Sequence, residues 1–398
     1  MMRTTAPAGG GDDALVARCA TAALDLLRRN LGPDGILAAT PHRRAQARSY
    51  DAVFARDAAV CVIAMVRSAD DVLIDGARAS LRTLARYQAA NGQIPKFVMR
   101  DSRTVDFWYV GCIDATLWWL IALEHLERHV PAASLRAELA ANVARALQWL
   151  QCQEHPALQL VAQNEASDWA DIMPRSGFVL YTNALWYYVK RLYGLPGAAE
   201  TREHFNHLFF PFTGEFAEYR RLRLLNHFVR QRARNRDLYL SFVNFSFWGE
   251  EGDVFGNLLA ILCGLAGDAR AHAIVHRLQA ADIEQPRAVR VTLTPIEPYS
   301  PLWRDYMGRH RQNLVYQYHN GGCWPMVGGF WAMALAALGD RTRARAALQA
   351  VVAANALDGM AFNEWFHGLT GAPMGMTGQS WNAAALLLAI AALDERIF

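Results

Sequence analysis

The stretch RDAAVCVIAMVRSADDVLIDGARASLRTLARYQAANG, residues 56–92, holds two helices of different kinds back to back. Residues 56–69 are apolar almost all round. Residues 70–92 are amphipathic at helical spacing and close on Asn-Gly, a helix-stop signal. A helix apolar on every side is buried on every side, whereas an amphipathic one covers a surface. The pair therefore reads as an inner helix followed by its outer cover.

The same alternation runs along the chain. Apolar helices are expected near 114–129, 178–193, 254–266, 325–338 and 379–393, and amphipathic ones near 134–153, 198–210, 269–280 and 341–355. Six inner helices wrapped by outer ones make an all-α (α/α)6 barrel, a toroid of six hairpins with the stacking logic of repeat proteins. The N-terminal helix, 14–31, closes the ring as partner of the last inner helix. The expected organisation is a disordered tail over residues 1–12 and a single catalytic domain over 13–398.

Bulk composition narrows the function. Of 398 residues 53% are hydrophobic and 19% charged, ample for a large core, and the formal net charge is +3. A nucleic-acid binder needs a concentrated basic face, so none is expected as partner. The positive charge is nearly all Arg, the two lysines being Lys96 and Lys190. The most basic run, EYRRLRLLNHFVRQRARNRD (218–237), reads as a solvated helix face or rim loop. The six cysteines include no two within four residues of each other, so no CxxC-type metal or redox motif is present. The N-terminus MMRTTAPAGGGDD lacks the apolar core of a signal peptide, and no apolar run is long enough to span a bilayer. A cytoplasmic protein without membrane partner is expected. The broad outer faces of a helical barrel leave a homo-oligomer open.

Each inner helix is preceded by an unusual cluster: YDAVFARD (50–57), DFWYVGCIDATLWW (106–119), SDWADIMPRSG (167–177), FSFWGEEGDVFGN (245–257), YQYHNGGCWP (316–325), and FNEWFHG (362–368) with TGQSWN (377–382). In a barrel of hairpins the N-termini of all inner helices point to one end, so these clusters converge on one mouth. Its aromatic rings, carboxylates, amides and histidines suit a sugar, whose apolar face stacks on rings while its hydroxyls take hydrogen bonds. Phosphate-loop, dinucleotide, HExxH and GxSxG patterns are missing, so no cofactor and no metal are expected.

Glycoside hydrolysis needs two carboxyl groups across the scissile bond. Asp114 is the candidate acid: burial among Trp108, Tyr109 and Trp118, with Asp57 near, opposes the lowering effect of its helix N-terminus. Read as structure, it is an N-cap carboxylate. Glu364, a lone acid between Phe362 and Trp365, is the candidate base, or else a surface Glu. Candidate sugar-binding residues are Phe54, Arg56, Asp57, Trp118, Trp169, Asp171, Tyr181, Glu251, Tyr318, His319, Asn320, Trp324, His367, Gln379 and Trp381.

Several of these segments resemble the alkaline and neutral invertases, family 100 of the glycoside hydrolases. VFARD is similar to their VFxRD opening, IDATLWWLIAL to their DSGLWWIILL-type segment, and GNLLAILCGLA to their Gly-Asn helix. YHNGGCWP closely matches their YHNGGSWP, and GQSWNAAALLLA their closing QTWSIAGYL. The resemblance implies an (α/α)6 barrel and metal-free hydrolysis of sucrose with inversion, and it implies that Asp114 is the proton donor. It also implies that Glu364 is the base, although that loop, DGMAFNEWFHG, has Glu364 six residues after Asp358 where the family has four. NALWYY and DATLWW also resemble the amylo-1,6-glucosidases of debranching enzymes. The leading expectation is an inverting hydrolase of sucrose. The alternatives are an exo-acting α-glucosidase of amylo-1,6-glucosidase or glucosylglycerate-hydrolase type, a sugar epimerase or isomerase using His319 and His367, and a sugar sensor without turnover.

Overall fold

The computed structural model describes residues 10–100, 104–109, 111–131, 134–212 and 220–398. Six helices form the inner ring: Ala55–Met65, Ile113–His129, Leu180–Tyr193, Val254–Leu262, Pro325–Ala337 and Ser380–Ala391. Each packs on the next, and the sixth packs back on the first, so the ring closes. Their outer partners, in the same order, are Asp71–Arg86, Ala140–Gln153, Ala198–Phe209, Asp268–Ala280, Arg341–Met360 and Gly10–Arg29. The chain is thus an (α/α)6 barrel, as the alternation of apolar and amphipathic helices requires.

The physical reason is visible helix by helix. All residues of Ala55–Met65 are buried, whereas Asp71–Arg86 buries one face, from Leu73 to Ala85. Fully burying one Leu, Ile or Val contributes roughly 1.5–3 kcal/mol, so the inner ring is the main source of stability. The seam between the chain's two ends is stitched by Asn30, whose side-chain amide donates to the Gly378 carbonyl (2.9 Å) and to Ser380 Oγ (2.8 Å). The far end of the ring is filled by Phe398, whose ring lies 6.5 Å from Trp118 and 5.7 Å from both Tyr188 and Phe330. Among the described residues no helix is long and apolar enough to cross a membrane.

Three departures from the expected elements matter. The N-terminal helix begins at Gly10 rather than 14, so residues 10–12 of the expected tail are helical, and residues 1–9 lie outside the described residues. The basic run forms the helix Arg220–Arg232, with residues 218 and 219 outside the described residues. Short antiparallel sheets decorate the mouth. One joins Ala52–Phe54, Phe97–Met99 and Val105–Asp106; another joins five strands in the order Phe247–Trp248, Phe242–Asn244, Gly177–Val179, Leu160–Gln163 and Glu154–His155. Strands of two to four residues are too short to show an alternating pattern, which is why the sequence carries no sign of them. They brace the loops that precede the inner helices.

Candidate active site

A cavity of about 250 Å³ opens at that mouth. Its walls come from the loops before the first, second, third, fifth and sixth inner helices. The first loop brings Phe54, Arg56 and Asp57, the third Trp169 and Asp171, the fifth Tyr318 and His319, and the sixth Glu364 and Trp381. All of these are candidates from sequence. Eight residues that are not candidates join them: Ala38, Arg48, Ser49, Tyr50, Lys96, Phe97, Trp108 and Gln312.

Glu364 is held on both oxygens. Tyr50 donates its hydroxyl to Oε1 at 2.6 Å, and the Met376 amide donates to Oε2 at 2.8 Å. Gly375 permits the approach: its φ is +74°, and a Cβ there would collide with the Glu364 carboxylate. The loop reaches this geometry through Phe362, a non-glycine residue at φ +46°. Burial pushes the Glu364 carboxyl up to about 7, against the two hydrogen bonds, and the negative charges of Asp57 and Asp171 add to the rise. Burial likewise lifts Asp57 to about 6, with Arg56 and Lys96 pulling the other way.

Asp171 meets Lys96 at 3.0 Å, and the same ammonium sits 3.0 Å above the centre of the Trp108 ring. His319 is wedged edge-on to Trp169, with ring centres 4.6 Å apart, and stacked on Trp324 at 4.9 Å. Burial first, then Arg56, Arg175 and Lys96, hold the imidazole well below its ordinary pKa, so it is neutral. Both of its nitrogens lack a hydrogen-bond partner among the described residues. So do Arg56 Nε and the indole nitrogens of Trp108, Trp169 and Trp381. Buried polar atoms are ordinarily satisfied. Here a set of them lines one hollow beside three carboxyl groups, an arrangement that can hold the hydroxyls of a sugar ring.

The remaining candidates lie elsewhere. Asp114 does not reach the cavity. It is fully buried beneath the floor, where Oδ2 accepts from Arg56 Nη1 (2.7 Å) and Tyr181 Oη (2.9 Å), and Oδ1 from Cys112 Sγ (3.0 Å). The reason is a neighbour from the preceding inner helix, Arg56, which fills the space between Asp114 and the hollow. Trp118 and Tyr181 belong to the same buried network, Trp118 Nε1 donating to Tyr181 Oη at 2.7 Å. Trp324 is buried behind His319 and donates its indole N–H to the Tyr318 carbonyl. Asn320 stitches loops, accepting from the Ile296 amide (2.7 Å) and donating to the Ile296 (2.9 Å) and Asn313 (3.0 Å) carbonyls. His367 accepts from the Leu369 and Thr370 amides in a turn. Gln379 precedes the last inner helix and does not line the cavity. Glu251 lines a different cavity, beside the fourth cluster.

Some of the unexpected wall residues carry a sequence signal. Tyr50 and Trp108 sit inside the quoted clusters, and Lys96 is one of two lysines in an Arg-rich chain. Arg48 and Gln312 carry none.

Comparison with known proteins supports the fold. The family model for alkaline and neutral invertases matches residues 243–395, a stretch that includes Glu364 but not Asp114. The mitochondrial neutral/alkaline invertase 1 of Oryza sativa subsp. japonica is 30% identical over 144 residues. That match covers 35% of this chain and 22% of the rice protein, so the chain aligns with about a fifth of that relative's length. Among solved structures, the GH63 mannosylglycerate hydrolase of Thermus thermophilus in complex with Tris and D-glycerate has a TM-score of 0.67 at 14% identity, over 93% of this chain and 99% of that one. The same enzyme in complex with glucose gives 0.66 at 15% identity, with the same coverage. A wild-type glycosidase gives 0.61 at 14% identity, over 97% of this chain and 99% of that one. At these identities the structures share the six-hairpin fold, while residues 243–395 resemble the invertases in sequence.

Proposed function

We propose that this chain is an exo-acting, inverting glycoside hydrolase whose substrate carries one sugar ring in the axial cavity and a small acidic group on the leaving side. The observation that carries this reading is the cavity wall itself. Carboxyl groups and a row of unpartnered buried donors surround a hollow of about 250 Å³, room for a single sugar ring and not for a long chain.

Glu364 acts as general base. A base works best when its pKa lies near the operating pH, and Glu364 sits at about 7 with two donors fixing its orientation. Asp57, the carboxyl on the wall that burial lifts to about 6, takes the acid role that sequence resemblance gave to Asp114. In the reaction Asp57 gives its proton to the glycosidic oxygen as the bond to the anomeric carbon breaks. Water attacks that carbon from the other face and gives a proton to Glu364. Inversion requires carboxyl groups roughly 6.5–9.5 Å apart, with space for that water. Arg56, Trp169, Trp381 and His319 hold ring hydroxyls, and Phe54 and Tyr318 offer aromatic surface.

The leaving group is assigned from Arg48. It stands exposed on the cavity wall and has no ion pair among the described residues. A guanidinium there suits a carboxylate, and a solved structure of this fold is a mannosylglycerate hydrolase in complex with D-glycerate. Sucrose, a neutral disaccharide and the substrate implied by invertase resemblance, uses no such charge. A hydrolysis screen of glucosylglycerate, mannosylglycerate, sucrose, maltose and isomaltose tests the reading, with NMR on the first anomer released. The expected result is a preference for a glycerate glycoside with inverted product. Sucrose as best substrate would overturn the leaving-group assignment, and a retained anomer would overturn the water-activating base.

A further inference from the structure

The fourth mouth cluster, FSFWGEEGDVFGN (245–257), does not contribute to the axial cavity. It walls a second, open cavity of about 850 Å³, together with the end of the basic run and the segment 294–302. The two cavities share no lining residue. By the measure that gives the axial cavity room for one sugar ring, this one holds about three.

The charges of its wall nearly cancel. Asp237, Glu250, Glu251 and Glu297 line it with Arg232, Arg234 and Arg277. Asp237 pairs with Arg277 at 3.3 Å. Glu250 accepts from neutral donors, the Arg234 and Asn235 amides (2.6 and 2.8 Å) and the Trp248 indole (3.2 Å), so it keeps its charge. Glu251, a sugar-binding candidate from sequence, is buried, with Arg175 Nε 3.8 Å away, too far for a hydrogen bond. Ser241 stands beside it and has one proton to give, so at least one oxygen of that carboxylate has no donor among the described residues. Such a wall has no excess of positive charge to select an anion. Its carboxylates accept and its guanidinium groups donate, and a sugar hydroxyl does both.

Aromatic surface stands beside these charges. Tyr299 is 87% exposed and Phe247 48% exposed, and both line the cavity with Trp248. The hairpin that carries Phe247 and Trp248 turns through Phe245, which is 64% exposed and takes a φ of +51°. A bulky residue in the left-handed region is strained, and a group of bare aromatics is unusual on a folded surface. Stability alone does not account for such a hairpin. Rings beside a charge-balanced polar wall match a pyranose, whose C–H face stacks while its hydroxyls take hydrogen bonds.

We propose that this second cavity binds a neutral oligosaccharide, its ring faces on Tyr299 and Phe247 and its hydroxyls on Glu251, Glu297 and Arg234. The inference stands whether or not the axial cavity hydrolyses a glycoside.

Isothermal titration tests it on the full chain carrying Glu364→Gln, which spares the probes from hydrolysis. The probes are glucose, maltotetraose and cellotetraose. At least one tetraose should bind roughly tenfold or more tightly than glucose, and added salt should change that little, because the ligand carries no charge. Tyr299→Ala should weaken the tetraose roughly fivefold or more and Phe247→Ala by less, with glucose unaffected. Both residues lie outside the axial cavity, so in the parent chain Tyr299→Ala leaves any hydrolysis there unchanged, and the two sites are judged separately. Tetraoses that bind no better than glucose would overturn the proposal. So would tetraose binding that survives both alanine substitutions intact, since the oligosaccharide would then sit elsewhere.

Discussion

Beneath the cavity floor and on its wall, the same barrel treats a carboxyl group in opposite ways. Under the floor, Asp114 is saturated: it accepts from Arg56, Tyr181 and Cys112, and Tyr181 in turn accepts from Trp118. On the wall, Glu364 is oriented by Tyr50 and the Met376 amide but lies among other negative charges, and burial raises its pKa to about 7. Both acids are almost wholly removed from water. The difference is whether a cation compensates them. A compensated buried acid holds structure together, and an uncompensated one stores a protonation change near neutral pH that chemistry can use.

The comparison breaks most sharply by exchanging each acid for its amide. Glu364→Gln keeps the shape and removes the proposed base, so kcat for the best substrate should fall by roughly 10³–10⁴-fold, the upper range for general-base catalysis, while circular dichroism stays that of the parent. Near-parental turnover would remove Glu364 from the mechanism. Asp114→Asn should act chiefly on stability. It leaves the Arg56 charge without its partner, and breaking a buried pair from one side costs about 3–4 kcal/mol. Urea denaturation measures this, and the folded fraction should lose far less turnover than Glu364→Gln does. If Asp114→Asn instead stays as stable as the parent and loses all activity, the proton donor is Asp114 after all.

That contrast also explains what could be read from the residues alone. The ring was legible because burial on all sides leaves a long, unmistakable apolar record, as in Ala55–Met65 and Pro325–Ala337. The mouth was legible as a set of clusters, because hairpin geometry sends the N-termini of all inner helices the same way. Direction within a cluster was not. Asp57 and Asp114 both sit in the first turn of an inner helix, yet Asp57 lines the cavity and Asp114 lies under Arg56. A side chain's turn toward the axis or toward the neighbouring helix depends on a partner some 60 positions away, and one chain's order carries no trace of it. Lys96 enters the site from the short strand pair beside it, and Gln312 from a long connection, so neither stands next to an inner helix.

The smallest effect is the most diagnostic, because activity and stability should slope in opposite directions through one midpoint. Glu364 binds its proton more tightly in the folded chain, at about 7, than at its ordinary value of 4.5. Between those values the folded state holds a proton the unfolded chain has released. Stability from this group is therefore fully present below about pH 4.5 and lost as pH rises through about 7. Glu364→Gln should relieve that loss, making the variant more stable than the parent by at most about 3 kcal/mol above pH 7 and by little near pH 4.5. Asp57, raised to about 6, contributes in the same sense and remains in both proteins. The base, however, works ionised, so kcat/KM of the parent should drop about tenfold per pH unit below that same midpoint. Denaturation curves of parent and variant at several pH values, set beside the pH profile of kcat/KM, test the pairing. A stability difference that ignores pH, or a profile flat down to pH 5, would mean that the Glu364 carboxylate is compensated as fully as Asp114 and is no reservoir for catalysis.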